Sequence, residues 1–523
     1  RYPQALDNFQ QALNYWNRVK NTVNQANVLN NLGVLHHLLG DYEQAFHCYK
    51  QALALSRQNG DHRMEAFVLC GTGDLYADLG IPESALDAYD QARQVAQRID
   101  YRFLLLYTHL AAATQHGALQ RITQAHQALE TAERSFLKTS SFYESGLHAL
   151  AAGRLALLEK DYAKAVEHLR RCVDLFAEGG QQVELSRAYF YLASACEGAG
   201  NCRAALQELE QAFRQASSVK SAHILVPAGR EHRTFLERMK GDPQLGEKVT
   251  GLLQRVACFE ESIPTIRKRL RPHTAAVPFA PPQLTIRALG RTQVEIDGRP
   301  VTAPEWLNQR RVREFLFYLL ASAEGLTKEE IGLTFWPDSS PAQLKLQFKN
   351  TIYRLRHALG PDVIYFDEDR YWFNRNLDYQ YDVEMFLDGL SQARAAASTV
   401  EKIKAYSTAI ELYRGPFFPE ADGTWAWTER EHLREAFFNA CLDLARLQLE
   451  SRQYNEALEN CHRVLNEDPC LEEAHRLAMK IYAAQGNRAA ITRQFEYCRQ
   501  ILHQEINVPP SPQTETLYRM LCR

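Results

Sequence analysis

The 523-residue sequence is defined first by what it lacks. No apolar run approaches the roughly 18 residues that a membrane helix needs. Phe103-Leu104-Leu105-Leu106-Tyr107 stops at Thr108 and His109, and no signal-peptide pattern is present, so a cytoplasmic protein with no membrane partner is expected. The eleven cysteines are odd in number, and no two have C-x-x-C spacing. That argues against a disulfide scaffold and a zinc ribbon, and suits small apolar positions in a reducing cytoplasm. There is no G-x-x-x-x-G-K-[ST] phosphate loop, no H-E-x-x-H and no Ser–His–Asp or Cys–His signature, so no enzyme, cofactor or metal is expected. Gly71-Thr72-Gly73 reads as helix packing rather than a glycine motif. His36, His37 and His126 have no carboxylate at ligand spacing and are expected to face solvent. Charge of one sign is also missing: 60 Lys+Arg against 63 Asp+Glu gives −3. This excludes a uniformly basic surface, but nucleic-acid binding needs only a local patch.

What is present begins with a repeat. Ala5, Ala45, Ala85, Ala125, Ala165 and Ala205 recur every 40 residues. Four places later stand Phe9, Tyr49, Tyr89, Leu129, Leu169 and Leu209, and three further on Ala12, Ala52, Ala92, Ala132, Cys172 and Ala212. Offsets of 4 and 7 define one helix face. Twelve residues upstream of the later alanines are Gly33, Gly73, Ala113, Gly153 and Ala193. These small residues predict close helix approach, with the aromatic or leucine filling the gap. The pattern, clearest at Leu29-Asn30-Asn31-Leu32-Gly33 and Gly40-Asp41-Tyr42-Glu43-Gln44-Ala45, resembles the tetratricopeptide family. It implies a concave groove for a protein or small-molecule effector, with Asn27 and Asn30 facing it. Residues 221–270 drift out of phase and are read as a cap: Ile263-Pro264 kinks or ends a helix, and Arg267-Lys268-Arg269 with Arg271 form a solvated face. The chain starts at Arg1, inside a repeat, so further residues upstream are expected.

Pro272, Pro278, Pro281 and Pro282 mark a linker over 272–283, extended at about 3.1 Å per residue. Period-2 alternation follows at Leu284, Ile286 and Ala288, then Val294 and Ile296, with Asp297-Gly298 as a hairpin turn. Gln309–Ser322 reads as a helix, and Thr327 with Glu330 forms a capping box for a second. Pro341 opens a third helix, which stops at Gly360-Pro361. A hairpin follows, with Asp367-Glu368-Asp369-Arg370 at its tip. On the third helix Leu344, Phe348, Ile352, Leu355 and Leu359 share one face. The other collects Leu346, Lys349, Asn350, Tyr353, Arg356 and His357, flanked by Lys345 and Arg354, with no acid from Pro341 to Leu359. A basic, Asn-bearing outer face suits a DNA major groove.

The stretches Arg310-Arg311-Val312-Arg313-Glu314-Phe315-Leu316, Gly325-Leu326-Thr327-Lys328-Glu329-Glu330-Ile331, Phe335-Trp336-Pro337-Asp338 and Tyr353-Arg354-Leu355-Arg356-His357-Ala358-Leu359-Gly360 resemble the OmpR/PhoB-type winged helix, in the form found in the antibiotic regulatory (SARP) activators. The resemblance implies that the third helix enters the major groove of promoter DNA. It places Arg310, Arg311 and Lys328 among the candidate DNA contacts, and Trp336, Asp338 and Ser339 in a loop that meets RNA polymerase through its sigma or alpha subunits. The family's wing carries a glycine near its tip; here three acids leave Arg370 as the wing contact. Beyond 381, Tyr413-Arg414-Gly415-Pro416-Phe417, Trp425-Ala426-Trp427, Asp468-Pro469 and Pro509-Pro510-Ser511-Pro512 resemble the bacterial transcriptional activator domain. Ala445, Ala457, Cys461 and Val464 recur 34 residues later as Met479, Ile491, Phe495 and Cys498. Trp425 and Trp427 are read as core at the domain joint.

The expected protein is therefore mostly α. It has a tetratricopeptide-type solenoid over 1–271, a linker over 272–283, a small α+β winged helix over 284–381 and a tetratricopeptide-like activator domain over 382–523. The expected function is DNA-binding transcriptional activation, with a homodimer on DNA. The competing expectation is an interaction scaffold whose winged helix docks a protein.

Overall fold

The computed structural model describes residues 2–134, 141–221, 223–273, 277, 279 and 281–522. Part of the predicted linker (274–276, Pro278 and 280) thus lies outside the described residues. The fold is mostly α with a small α+β region. The chain divides into two compact units, residues 1–281 and 282–523.

In the first unit, eleven helices run from Tyr2–Arg18 to Cys202–Val219. The 40-residue pattern works as sterics. A Cβ added to Gly33 would lie 2.5 Å from the Tyr49 ring, one on Gly73 2.4 Å from Tyr89, and one on Gly153 2.5 Å from Leu169. Each large side chain therefore fills a notch made by the small residue on its partner helix. Gly71 belongs to the same scheme, 2.8 Å from Tyr49. Turns close on Gly40 and Gly60, whose φ of +88° and +67° suit glycine and end helices Thr22–Leu39 and Tyr42–Asn59.

Residues 221–273 do not extend the array; they fold back across it. Ser221 donates to the Leu38 carbonyl (2.8 Å), and His223 Nε2 meets the Tyr42 hydroxyl (2.8 Å). Tyr42 stacks on Phe259 at 5.0 Å. At the other end of the array, Arg154 and Tyr191 bond Glu231 (2.6 and 2.9 Å), and Ser194 bonds His232 (2.9 Å). The solvated-face reading of Arg267 is corrected. Its guanidinium donates to the carbonyls of Leu79 and Gly80, and Arg230 donates to that of Asp78, so both cap the helix His62–Asp78. Arg269 pairs with Glu43, and Arg271 lies 5.6 Å over Phe279. Pro264 does not end its helix either. Gly246–Leu270 runs through it, because a proline removes one N–H and the rest of the ladder holds.

In the second unit, strands Leu284–Arg287, Gln293–Ile296, Arg299–Pro300 and Tyr379–Tyr381 form one sheet, with Tyr379–Tyr381 parallel to Leu284–Arg287. Asp297 (φ 48°) and Gly298 (φ 74°) make the two-residue turn. Helices Arg310–Ala321, Lys328–Phe335 and Pro341–Leu359 follow, then the hairpin Ile364–Asp367/Arg370–Phe373, to which Leu326–Thr327 adds a third strand. Helices fill the remainder, from Asp382–Ala395 to Pro512–Leu521. One hydrophobic core runs from Leu284 to Ile481, so the strand-and-helix block and most of the C-terminal helices share it. Phe317 packs 4.5 Å from Phe418, and Tyr318 5.1 Å from Trp425. The Asp382 carboxylate accepts the N–H groups of Ala288 and Leu289 (2.9 Å). Trp427, read as core, is instead 63% exposed, because two residues along a helix from Trp425 is the opposite face.

Candidate nucleic-acid interface

The helix Pro341–Leu359 is the centre of the site. Ser340 caps it: its hydroxyl accepts from the Gln343 N–H, and Gln343 Oε1 accepts the Ser340 N–H in return. Pro341 sits at the first helical position, where its missing N–H costs nothing. Gly360, at φ +109°, ends it. Phe348, Thr351, Leu355 and Ala358 are buried, with Leu344, Ile352 and Leu359 half-buried beside them. Phe348 meets Phe315 (6.1 Å) and Tyr371 (4.9 Å) edge-on, which fixes the helix against the first helix and the hairpin.

Lys345, Leu346, Lys349, Asn350, Tyr353, Arg356 and His357 are all exposed on the opposite face. Lys345, Lys349 and Asn350 have no side-chain partner among the described residues. The basic side chains at the C-terminal end are tied to the fold. Arg354 donates to Gln309 Oε1 (3.1 Å), Arg356 to the Ile364 carbonyl (3.3 Å), and His357 lies 3.5 Å from the Glu305 carboxylate and stacks on Tyr353. Of the outlying cations, Arg311 is exposed and Lys328 half-buried. Arg310 is held by Glu314 and Asp422.

The wing departs from its expected role. Glu368 and Asp369 occupy the turn with φ of 43° and 62°, the left-handed pair of a two-residue hairpin. Arg370 turns back to the Gly325 carbonyl (2.9 Å) and to Glu330 (3.7 Å), so it is committed inside the block rather than presented at the tip. The tip itself shows Asp367, Glu368 and Asp369.

The loop expected to meet polymerase is also revised. Trp336 is only 7% exposed and packs on Phe335, because its indole closes the core under the loop. Ser339 is half-buried and bonds Gln347 (3.1 Å); of the three residues, only Asp338 is exposed.

In the repeat array, Asn27 uses its amide on the Val23 carbonyl of its own helix (3.1 Å), and Asn30 is half-buried. Of the three histidines expected to face solvent, His126 is exposed, while His36 and His37 are half-buried, and each has a carboxylate within reach. His37 bonds Asp78 (2.9 Å), His126 bonds Glu159 (2.9 Å), and His36 lies 3.4 Å from Asp41. Stacking of repeats brings residues about one period apart together, which a search along single helices misses. The same stacking builds an unforeseen polar network. Asp74 accepts hydroxyls from Tyr107 (2.6 Å) and Tyr89 (2.7 Å), and burial raises its pKa against those two bonds. At Asp78 burial also acts upward, but the His37 bond and the charges of His37 and Arg187 outweigh it and hold the carboxyl below its ordinary value. Among the described residues no group of three or more His, Cys, Asp or Glu could hold a metal ion, and no helix is long and apolar enough to cross a membrane.

Residues 381–521 match the family description "Bacterial transcriptional activator domain". The chain carries that activator domain. Residues 1–58 and 24–98 match the tetratricopeptide repeat. The Regulatory protein AfsR of Streptomyces griseus is 23% identical over 208 residues, 39% of this chain and 21% of that protein. The chain thus spans about a fifth of the length of that curated relative. Among solved structures, Mycobacterium tuberculosis EmbR in complex with a low affinity phosphopeptide is 18% identical, with a TM-score of 0.40, over 46% of this chain and 65% of that one. BtubC from P. vanneervenii is 16% identical, with a TM-score of 0.33, over 43% and 94%. The chain thus combines a match to the activator domain with a match to the tetratricopeptide repeat, and is similar in this make-up to SARP-type regulators.

Proposed function

We propose that this chain activates transcription by binding double-stranded promoter DNA through the helix Pro341–Leu359. The observation that carries the reading is the exposed face of that helix: Lys345, Lys349, Asn350 and Tyr353 stand out from it, and no acid interrupts its 19 residues. Lysines supply phosphate contacts that set register, and the asparagine reads a base edge. Arg311 and Lys328 add outlying phosphate contacts. The acidic wing tip stays off the backbone, so affinity rests on one helix per protomer and two protomers share the site. The exposed Asp338 loop is the polymerase-facing surface. The repeat array takes the protein or small-molecule effector, and the fold-back segment 221–273 restricts where on the array it enters.

The test is the salt dependence of full-chain binding to genomic DNA fragments. Log K falls by about 0.9 per decade of salt for each phosphate contacted. Lys349→Ala weakens binding and shallows the slope by about one unit per protomer bound, about two for the pair. The acidic wing tip favours a second reading, in which the block docks a protein instead. Absent or salt-insensitive DNA binding would support that reading and sink the first.

A further inference from the structure

Four exposed positions of the helix Pro341–Leu359 form one stripe. Leu346, Lys349, Asn350 and Tyr353 are spaced i, i+3, i+4 and i+7, so they line up along the side turned away from the core. Asn350 sits mid-stripe with its amide unbonded. Apolar groups flank it, with Leu346 61% and Tyr353 66% exposed. Water is a poor environment for both, and neither charge nor hydrogen bonding explains a leucine there.

The arginines tell the complementary half. Guanine is read most often by an arginine or a lysine on O6 and N7, and of the two the arginine supplies a fixed pair of N–H groups, whereas a lysine is a mobile point charge that serves a phosphate equally well. Arg354 is held by Gln309, Arg356 by the Ile364 carbonyl and Arg370 by the Gly325 carbonyl. Arg354 and Arg370 are half-buried in the scaffold of the block, and Arg356, though exposed, has its guanidinium drawn towards the hairpin. What remains free is an amide, two apolar groups and two lysines.

We infer that this helix reads a short run of A·T pairs in the major groove, with Asn350 on adenine N6/N7 and Leu346 and Tyr353 against thymine methyl groups. Asparagine pairs bidentately with adenine, and the thymine methyl is the one apolar feature of the major-groove edge. Lys345 and Lys349, one turn apart on one edge of the stripe, hold phosphates along that edge. The inference rests on the DNA-binding reading given above and adds what that DNA contains.

The test enriches duplexes from a random-sequence library with the full chain. The enriched duplex is then measured with thymine and with deoxyuridine, which lacks only the methyl, at each core position. An A·T core is expected. Uracil weakens wild-type binding about three- to fivefold per methyl. Leu346→Ala, at an exposed site that leaves the core untouched, costs a similar factor and abolishes the uracil effect at its own position. Asn350→Ala costs about 10- to 100-fold on the enriched duplex and little on a random one. A G·C core, or uracil equal to thymine throughout, overturns the inference while DNA binding stands. If no duplex is enriched and none binds in a salt-dependent way, both fail.

Discussion

The 40-residue repeat yields a prediction with a sign. In Gly73→Ala the new methyl would lie 2.4 Å from Cε1 and 2.7 Å from Cδ1 of Tyr89. The ring cannot swing aside freely. It is 3% exposed, and its hydroxyl is fixed on Asp74, which Tyr107 grips as well. Forcing a methyl into a packed core costs about 1–3 kcal/mol. Any movement of Tyr89 also stretches a bond to a charged group worth about 1.5–3 kcal/mol. Against this, alanine is better than glycine inside a helix by about 0.8–1.0 kcal/mol. Overpacking less the propensity gain leaves a net loss of up to about 2 kcal/mol, rising to about 5 kcal/mol where the bond to Asp74 is lost as well. Gly251→Ala is the matched control. It lies inside the helix Gly246–Leu270, and the nearest atom to its added methyl is the Arg255 guanidinium at 4.0 Å, so only the propensity gain of about 0.5–1 kcal/mol remains. Hydrogen exchange on His62–Asp78 and Pro82–Arg98, followed against urea, reads the first variant where it acts; the same measurement on Gly246–Leu270 reads the second. If Gly73→Ala stabilises as Gly251→Ala does, the small residues of the repeat are not notches for the large ones, and the packing account of the period is wrong.

Other perturbations follow the same logic. Burial pushes the His223 imidazole down to about 4, with Asp78 and Asp41 pulling it up and His37 and Arg187 opposing protonation. Its folded value lies below the unfolded value of about 6.5, so the open form takes the proton first. The hold of segment 221–273 is therefore full above about pH 6.5 and weakens as pH falls from there towards 4, an effect that His223→Phe removes from the exchange profile of Gly246–Leu270. Arg267→Met keeps the aliphatic stem but strips the donors from the Leu79 and Gly80 carbonyls, and should cost about 1–3 kcal/mol, read as lost protection at the end of His62–Asp78. Asp382→Asn leaves one acceptor oxygen for the N–H groups of Ala288 and Leu289 and should lower the melting midpoint of the second unit by several degrees, corresponding to about 1–3 kcal/mol. Arg430→Met unbonds the carbonyls of Phe417, Phe418 and Ala421 (2.6–2.7 Å), and calorimetry should show the strand-and-helix block and the C-terminal helices losing stability together.

Local and periodic features were legible in the sequence. The capping box at Thr327, the start of a helix at Pro341, the Asp297-Gly298 turn and the two faces of Pro341–Leu359 each depend on residues within a few positions of one another. The notch scheme depends on a fixed offset that the period displays. What the sequence hid is long-range. Arg267 looked like a surface cation because its acceptors, Leu79 and Gly80, lie 188 and 187 residues away, and main-chain carbonyls leave no mark in a sequence. Trp336 looked like a loop contact because its neighbours are Pro337 and Asp338; its burial is decided by Phe335 and the core behind it. The site residues divide in the same way. Helical spacing identified the exposed face, but only the partners Gln309, Ile364 and Gly325 separate the arginines that hold the block together from the side chains left to meet DNA.

That separation bears on how a chain of net charge −3 could grip a polyanion. Residues 284–380 hold 13 basic and 13 acidic side chains, so the block as a whole offers DNA no attraction at long range. At contact range the arithmetic differs. Lys345 and Lys349 are free and close together, while the acids of Asp367, Glu368 and Asp369 sit at the tip of a separate hairpin. With a Debye length of about 8 Å at physiological salt, exposed charges farther apart than that are largely screened from one another, so local charge counts for more than the net charge of the block. On the proposed DNA-binding reading, non-specific binding is weak, because few phosphates are neutralised, and discrimination falls on direct contacts to bases. A weak grip also makes the shared core matter. The reading helix leans through Phe348 on Phe315, in the same helix as Phe317, which packs on Phe418 of the activator domain. The activator domain is thus part of the support that holds this helix in place, so on the proposed DNA-binding reading a change in that domain's core also weakens binding.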